Sequence, residues 1–305
     1  MKKRMKHWAL SLAYALVLLT SATVCITACA STIAKSADGD TQQEEIDQTT
    51  TVEIMSEKMG RKIKAVVVVP EQYSDPDLQE DQYPVLYLLH GAYGSYKDWP
   101  TKTHLDDMAS DYGVIIVCPD GQDSWYFDSP IDPKMQFETF VSKELVNYID
   151  NNYRTIPTPG MRAITGLSMG GHGALFVAFR HPDVFHSCGS MSGGVNICHF
   201  PDQWHIKDRL GDYQSNQQLW ESHSVAGLVQ NLKPGQNITI DDGNEDIFIK
   251  ENNALHEALL KKGIPHDYTV RPGAHNWSYW TNSLDYQMLF FSKCFAKAAK
   301  EAKAQ

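Results

Sequence analysis

Short apolar runs alternate with amphipathic stretches along most of the chain. Seven apolar runs have the length of buried strands, and they cover residues 62–69, 85–89, 114–117, 162–165, 186–191, 237–240 and 266–271. Five stretches carry apolar positions at helical spacing, and they cover residues 103–110, 137–152, 170–180, 251–262 and 283–300. This alternation predicts an α/β fold, with a mostly parallel central sheet and helices on both faces. Ligands of such sheets bind beyond the carboxyl ends of the strands, so the residues after each strand are the candidates for chemistry.

The first 28 residues have a different pattern. A cluster of positive charges at residues 2–6 precedes an apolar run at residues 8–26, which is the layout of a secretory signal. The run leads into the sequence ITAC, residues 26–29, which resembles the bacterial lipobox, where the signal is cut before a lipidated cysteine. We therefore predict a lipoprotein signal peptide at residues 1–28 and a lipid anchor at Cys29. A plain signal peptide and a retained membrane helix are the alternatives.

The segment after the signal is polar and has no aromatic residue up to residue 51. We predict a flexible tether at residues 29–51 and one folded domain at residues 52–305. The chain has 27 Lys and Arg against 37 Asp and Glu, and removal of the four positive charges of the signal leaves 23 against 37, a balance of −14. Nucleic acid needs a basic face and is therefore excluded as a partner. We expect membrane contact only through the N-terminal anchor.

Four cysteines remain once the signal and Cys29 are set aside: Cys118, Cys188, Cys198 and Cys294. Export permits disulfides, but four thiols allow three pairings and the sequence selects none. Their spacing lacks the CxxC pattern of zinc sites. We expect buried free thiols and no bound metal.

The sequence GLSMG at residues 166–170 fits the GxSxG pattern. It lies between a predicted strand and a helix that begins near Gly170. In a nucleophile elbow, this strand-to-helix turn projects the serine hydroxyl, and the flanking glycines avoid a collision with the turn. The alternative is a glycine-rich turn in which Ser168 only caps the helix. We predict that Ser168 is a nucleophile.

A nucleophilic serine needs a histidine base and an acid that orients it. In this type of fold the acid and then the histidine follow the serine, each in a loop after a later strand. His275, in the segment PGAHNW, meets this requirement. The earlier loop DDGNED, residues 241–246, offers four carboxylates. Asp246 is preferred over Asp242 because Gly243 lets the chain turn back before it, but spacing alone leaves both open.

The sequence HGAYG at residues 90–94 closes an apolar strand and resembles the oxyanion loops of esterases. Backbone amides in such a loop stabilise the negative oxygen of a tetrahedral intermediate. The amides of Ala92 and Met169 are the candidates, with Tyr93 as the alternative to Ala92. Loss of one such donor typically costs about 3 kcal/mol of transition-state stabilisation.

Five motifs occur in the order HGAYGSYKDW, PDGQDSWYFDSP, ITGLSMGGHGAL, DDGNEDIF and RPGAHNWSYW. Together they resemble, over residues 55–298, the esterase D family, which includes S-formylglutathione hydrolases, tributyrin esterases, mycolyltransferases, and the feruloyl and acetylxylan esterases of carbohydrate esterase family 1. The resemblance implies the α/β-hydrolase fold and a mechanism without metal or organic cofactor. It also implies a nucleophile at Ser168, an acid at Asp246, a base at His275, and an oxyanion hole from the amides of Ala92 and Met169. His172, in GGHGA, is interpreted as structural.

Aromatic residues cluster beside the motifs, and their rings suit stacking on sugars or on a phenolic acyl group. The alternative is that most of them are packing. The predicted export disfavours an S-formylglutathione hydrolase and favours removal of acetyl or feruloyl groups from plant polysaccharide fragments at the bacterial cell envelope. An acyltransferase of the mycolyltransferase type and a general short-chain acyl esterase are the alternatives. The candidate substrate-binding residues are Tyr93, Trp99, Trp125, Tyr126 and Trp277.

Overall fold

The computed structural model describes residues 48–304. The predicted signal peptide, Cys29 and all of the predicted tether before residue 48 lie outside the described residues. Eight strands form one sheet in the order β1-β2-β4-β3-β5-β6-β7-β8. The strands are β1 Thr49–Ser56, β2 Arg61–Val68, β3 Val85–Leu89, β4 Ile115–Pro119, β5 Arg162–Gly166, β6 Ser187–Met191, β7 Asn237–Gly243 and β8 Asp267–Arg271.

The sheet is antiparallel at one edge and parallel elsewhere. β2 pairs with β1 and β4 in antiparallel orientation, and all pairings from β4 to β8 are parallel. The carboxyl ends of the parallel strands therefore meet at one edge, which brings the loops after β3, β5, β7 and β8 together.

Helices cover both faces of the sheet. Along β3, Tyr87 and Leu89 join one buried apolar cluster, which contains residues of α5, whereas Leu86 and Leu88 join the other, which contains residues of α10. This agrees with the predicted fold class. The α-helices in residues 48–304 are α1 Asp98–Lys102, α2 Leu105–Tyr112, α3 Phe137–Thr139, α4 Val146–Asn152, α5 Met169–Arg180, α6 Lys207–Leu210, α7 Gln217–His223, α8 Val225–Leu228, α9 Ile249–Lys262 and α10 Trp277–Lys303, and a π-helical segment at Phe140–Leu145 joins α3 to α4.

β1 was not predicted, and it begins inside the predicted tether. Its sequence is TTTVEIMS, and Ile54 and Ser56 near its end are buried. It pairs with β2 over eight residues, from Thr49 opposite Val68 to Ser56 opposite Arg61. Threonine is polar but β-branched, and it favours strands without adding an apolar run. The folded domain therefore begins before the predicted boundary at residue 52.

The seven predicted strands and five predicted helices are all present, and α10 shows the largest shift. It begins at Trp277 instead of residue 283, because the Asn276 side chain caps it by accepting a hydrogen bond from the Tyr279 amide at 3.1 Å. No helix in residues 48–304 is both long and apolar enough to cross a bilayer. The four cysteines are free thiols, of which Cys118 and Cys188 are buried and the other two are half-buried.

Candidate active site

Ser168 lies at the turn between β5 and α5. Its φ of 55° and ψ of −116° are strained for a residue with a side chain. A Cβ atom at Gly166 would lie 2.6 Å from the Leu89 carbonyl oxygen, and one at Gly170 would lie 2.5 Å from the same atom. Both glycines are therefore required because the end of β3 packs directly against this turn.

The hydroxyl of Ser168 is in contact with an imidazole that a carboxylate orients. His275 Nε2 lies 3.0 Å from Ser168 Oγ, and His275 Nδ1 lies 3.0 Å from each carboxylate oxygen of Asp246. The side chain of Asp246 is fully buried, whereas that of His275 is 20% exposed. The Phe248 amide also donates to Asp246 Oδ1, at 2.9 Å. The three side chains have the distances and the order of a serine, histidine and acid triad.

The loops after β7 and β8 pack closely, and this selects the acid. A Cβ atom at Gly243 would lie 2.4 Å from the Gly273 carbonyl oxygen. The Glu245 amide donates to that same oxygen at 2.9 Å. This close approach places Asp246, and not Asp242, against His275. Sequence spacing left both acids open as the partner of the histidine, and in the structure Asp246 is the one in contact with His275.

Two amides next to Ser168 remain available for an oxyanion. The Met169 amide belongs to the first residue of α5 and has no acceptor one turn earlier in the helix. Gly91 packs so near the turn that a Cβ atom there would lie 3.4 Å from Ser168 Cβ. The Tyr93 amide donates to Asp123 Oδ1 at 2.7 Å, so of the two candidate amides in this loop only that of Ala92 is left as a candidate.

The model of the "Putative esterase" family matches residues 56–291. The chain belongs to this family. It is therefore a carboxylic ester hydrolase, and its sheet is that of the α/β-hydrolase fold.

Two curated relatives and one solved structure are similar to this esterase. The acetyl esterase of Caldicellulosiruptor saccharolyticus is 26% identical over 256 residues, which cover 77% of this chain and 94% of that protein. The S-formylglutathione hydrolase of Bos taurus is 27% identical over 247 residues, which cover 72% of this chain and 83% of that protein. The structure of a ferulic acid esterase matches with a TM-score of 0.70 and 28% identity, over 81% of this chain and 98% of that chain.

Two buried side chains of this esterase support the loop that carries Ala92. His90 Nδ1 lies 2.7 Å from the Gly91 carbonyl oxygen, and His90 Nε2 accepts a hydrogen bond from the Gly121 amide at 2.8 Å. The Tyr126 hydroxyl donates to the His90 carbonyl oxygen at 3.1 Å. These hydrogen bonds therefore join the loops after β3 and β4 next to the candidate oxyanion donor Ala92.

Three predicted substrate-binding residues are buried, which corrects their interpretation. Trp99 is 1% exposed, and its Nε1 donates to the Leu89 carbonyl oxygen at 2.9 Å. Trp125 is 1% exposed, and its Nε1 donates to the Trp204 carbonyl oxygen at 2.9 Å. Tyr126 is fully buried behind the oxyanion loop. These rings are packing, and they offer no face to a substrate.

The other two predicted residues are accessible to different degrees. Tyr93 is 68% exposed beside the oxyanion loop. Trp277 is half-buried and packs edge-on against Trp99 and Trp280, with ring centroids 5.1 and 5.5 Å away. Trp280 in turn lies 4.9 Å from the His275 ring. The Trp280 ring therefore lies between Trp277 and His275.

Sequence reasoning missed an aromatic wall on the other side of His275. The Phe248 ring lies 5.2 Å from the His275 ring, and the half-buried Trp204 ring lies 5.3 Å from that of Phe248. Phe200 packs against both Trp204 and Phe248. Phe248 could have been found from the motif DDGNEDIF. Trp204 comes from the long connection between β6 and β7, which carries no motif.

His172 is buried in an aromatic cluster. Its ring contacts Trp125, Phe127 and Phe176 at centroid distances of 5.4 to 5.8 Å. Burial lowers the pKa of His172 to about 3, so this imidazole is neutral at ordinary pH. These contacts fit the structural role expected of it.

Proposed function

We propose that this esterase uses a serine nucleophile and an acyl-enzyme. The observation that carries the proposal is the 3.0 Å contact between Ser168 Oγ and His275 Nε2, with His275 held by Asp246. Ser168 Oγ attacks the ester carbonyl while His275 accepts its proton, and His275 then gives the proton to the departing alcohol. Water, activated by the same base, releases the acid in a second attack.

The negative charge of each tetrahedral intermediate develops on the former carbonyl oxygen. The amides of Ala92 and Met169 are the proposed donors to that oxygen. Met169 also begins α5, whose aligned peptide dipoles place partial positive charge at the same point. These interactions strengthen as the charge forms and therefore lower the barrier to the chemical step.

We propose that the acyl group is acetyl or feruloyl, released from plant polysaccharide fragments. The similarity to an acetyl esterase and to a ferulic acid esterase supports this substrate class. Trp204 packs against Phe248, which in turn contacts the His275 ring, and its half-buried ring offers an aromatic surface on which a phenolic acyl group can stack. Comparison of kcat/KM for acetylated xylooligosaccharides, methyl ferulate and short p-nitrophenyl esters tests the preference. Hydrolysis of p-nitrophenyl esters with no measurable hydrolysis of either natural type would contradict it.

The Ser168→Ala variant tests the nucleophile. We expect loss of p-nitrophenyl acetate hydrolysis by at least about a thousandfold, with an unchanged circular dichroism spectrum. Ser190→Ala is the matched control, because it removes a buried hydroxyl on the neighbouring strand β6 that has no hydrogen-bond partner within residues 48–304, and it should leave the activity unchanged. Full activity in Ser168→Ala would disprove the assignment.

A further inference from the structure

The end of β7 carries two consecutive carboxylates that face opposite sides of the sheet, as the period of a strand requires. Asp241 accepts hydrogen bonds from the Arg271 guanidinium, from the Tyr279 hydroxyl and from Ser283 Oγ. Asp242 is fully buried on the other side, where it faces Ser192 and Asn252. Of these two carboxylates, Asp241 is therefore the one that is paired with a cationic side chain, Arg271.

The surroundings of Asp242 hold neutral or acidic groups. Its Oδ1 accepts a hydrogen bond from the Gly243 amide at 2.8 Å. The segment after β6 and helix α9 contribute the neutral side chains of Ser192 and Asn252. The titratable groups that face it are Asp246 from its own loop and Tyr268 from β8. An ionised Asp242 would place a second buried negative charge beside Asp246 with no positive charge to balance it.

Hydrogen bonding in this cluster is incomplete if Asp242 is ionised. Three buried atoms have no partner within residues 48–304, namely Asp242 Oδ2, Asn252 Oδ1 and Ser192 Oγ. The Nδ2 group of Asn252 donates to the Gly193 and Phe248 carbonyl oxygens at 2.9 and 3.0 Å, so Asn252 Oδ1 can only accept. A carboxylate has no hydrogen to give, whereas a carboxylic acid has one. Ser192 Oγ carries one hydrogen, which can satisfy one of the two remaining acceptor atoms, and a proton on Asp242 supplies a donor for the other.

We propose that Asp242 is a positioning residue, protonated at neutral pH, that donates a hydrogen bond within the Ser192 and Asn252 cluster and leaves Asp246 as the single ionised carboxylate at His275. Asp246 contacts His275 and accepts a hydrogen bond from the Phe248 amide, whereas neither group contacts Asp242. Burial and the charge of Asp246 raise the pKa of Asp242 to about 8. The inference rests on the proposed function only for the role of Asp246.

The dependence of stability on pH tests the proton. An unfolded Asp releases its proton near pH 4, whereas folded Asp242 keeps it up to about pH 8, so the native state binds one more proton in between. This group alone therefore raises the unfolding constant of the wild type by about tenfold per pH unit in that window. The Asp242→Asn variant keeps a hydrogen-bond donor but cannot ionise, so it lacks this decrease of stability with pH. We expect its stability relative to the wild type to increase steadily from pH 5 to pH 8 in denaturant unfolding.

Two asparagine variants serve as controls. Asp241→Asn leaves Arg271 without its carboxylate and should lose stability at every pH in that range. Asp246→Asn should keep the fold and lose p-nitrophenyl acetate hydrolysis, whereas Asp242→Asn should keep kcat at pH 7 within about threefold of the wild type. The kcat/KM profile of the wild type should change near pH 8, where Asp242 loses its proton, and that change should be absent in Asp242→Asn.

A stability difference between Asp242→Asn and the wild type that does not change from pH 5 to pH 8 would overturn the proposal. Loss of activity in Asp242→Asn equal to that in Asp246→Asn would overturn it as well. Because the unfolding measurement needs no catalysis, it remains decisive even if Ser168→Ala disproves the proposed mechanism.

Discussion

The hydroxyl of Tyr126 holds the candidate oxyanion loop through one buried hydrogen bond. It donates to the His90 carbonyl oxygen, and His90 in turn joins the loops after β3 and β4. Tyr126 and the preceding Trp125 both have positive φ, 60° and 56°. This conformation, which is uncommon for residues with large side chains, turns both rings into the interior. A residue can therefore affect the site without reaching the substrate.

Tyr126→Phe removes that hydrogen bond and leaves the His90 carbonyl oxygen buried without its donor. We expect a loss of about 1 kcal/mol in the free energy of unfolding. We also expect kcat to fall by about three- to tenfold with little change in KM, because the oxyanion contacts form only in the transition state. Denaturant unfolding and steady-state kinetics with p-nitrophenyl acetate measure the two effects.

Tyr87→Phe is the matched control for this prediction. Tyr87 lies on β3, is fully buried, and its hydroxyl has no partner within residues 48–304. Removal of this hydroxyl should leave kcat unchanged and should not lower the stability. Equal kcat values for the two variants would contradict the support assigned to Tyr126.

The sequence located the three side chains of the candidate triad, whereas it misjudged the burial of three aromatic rings. Ser168, Asp246 and His275 follow strands in the order that an α/β-hydrolase mechanism requires, and their loops do meet. Trp125 and Tyr126 lie in the motif PDGQDSWYFDSP, in the loop after β4, where sequence cannot distinguish a ring that faces solvent from one that faces the core. Their direction depends on positive φ values, which sequence usually indicates by a glycine or an asparagine, and neither residue type occupies these two positions.

At the scale of elements, sequence did not predict the helices in the connection between β6 and β7. Its helices α6, α7 and α8 have four, seven and four residues. Helices this short contain too few turns for a recognisable apolar period. The same connection brings Trp204 to the aromatic wall beside His275. The proposed acyl-binding ring of Trp204 thus comes from a connection with a weak sequence signal.

Trp204→Ala should affect substrates according to their acyl group. We expect kcat/KM for methyl ferulate to fall by about tenfold, because the aromatic face is lost, and that for p-nitrophenyl acetate to stay within about threefold. The contact with Trp125 Nε1 uses the backbone oxygen of Trp204 and is retained. Tyr112→Ala, which removes an exposed ring at the end of α2 that leads into the amino end of β4, is the control. Equal losses on both esters would contradict a role in acyl recognition.

At the scale of the whole molecule, β1 completes the antiparallel edge of the sheet. It covers β2 over its full length and buries Ile54. Without it, the backbone groups of β2 that pair with β1 would become an open edge, which favours association with other chains. Hydrophobic patterning predicted β3 and β4 most directly, because both are fully buried and almost continuously apolar. It missed β1 because only one face of this edge strand contributes to the core.

Two truncations test the importance of β1. A chain that begins at Gln48 keeps all of β1 and should be monomeric and fully active on p-nitrophenyl acetate. A chain that begins at Glu57 lacks β1, and we expect it to aggregate and to melt at a lower temperature. Size-exclusion chromatography and thermal unfolding distinguish the two. A monomeric, equally stable chain from Glu57 would show that β1 is dispensable.

Helix α10 begins two residues after His275 and continues to Lys303. A helix of 27 residues is about 40 Å long, so the lysines of its last turn lie far from the triad. Attachment of the enzyme to a solid support through a C-terminal tag would therefore leave the catalytic entrance facing the liquid. Random coupling through lysines would not fix this orientation, because Lys97 and Lys102 follow the candidate oxyanion loop and would also react.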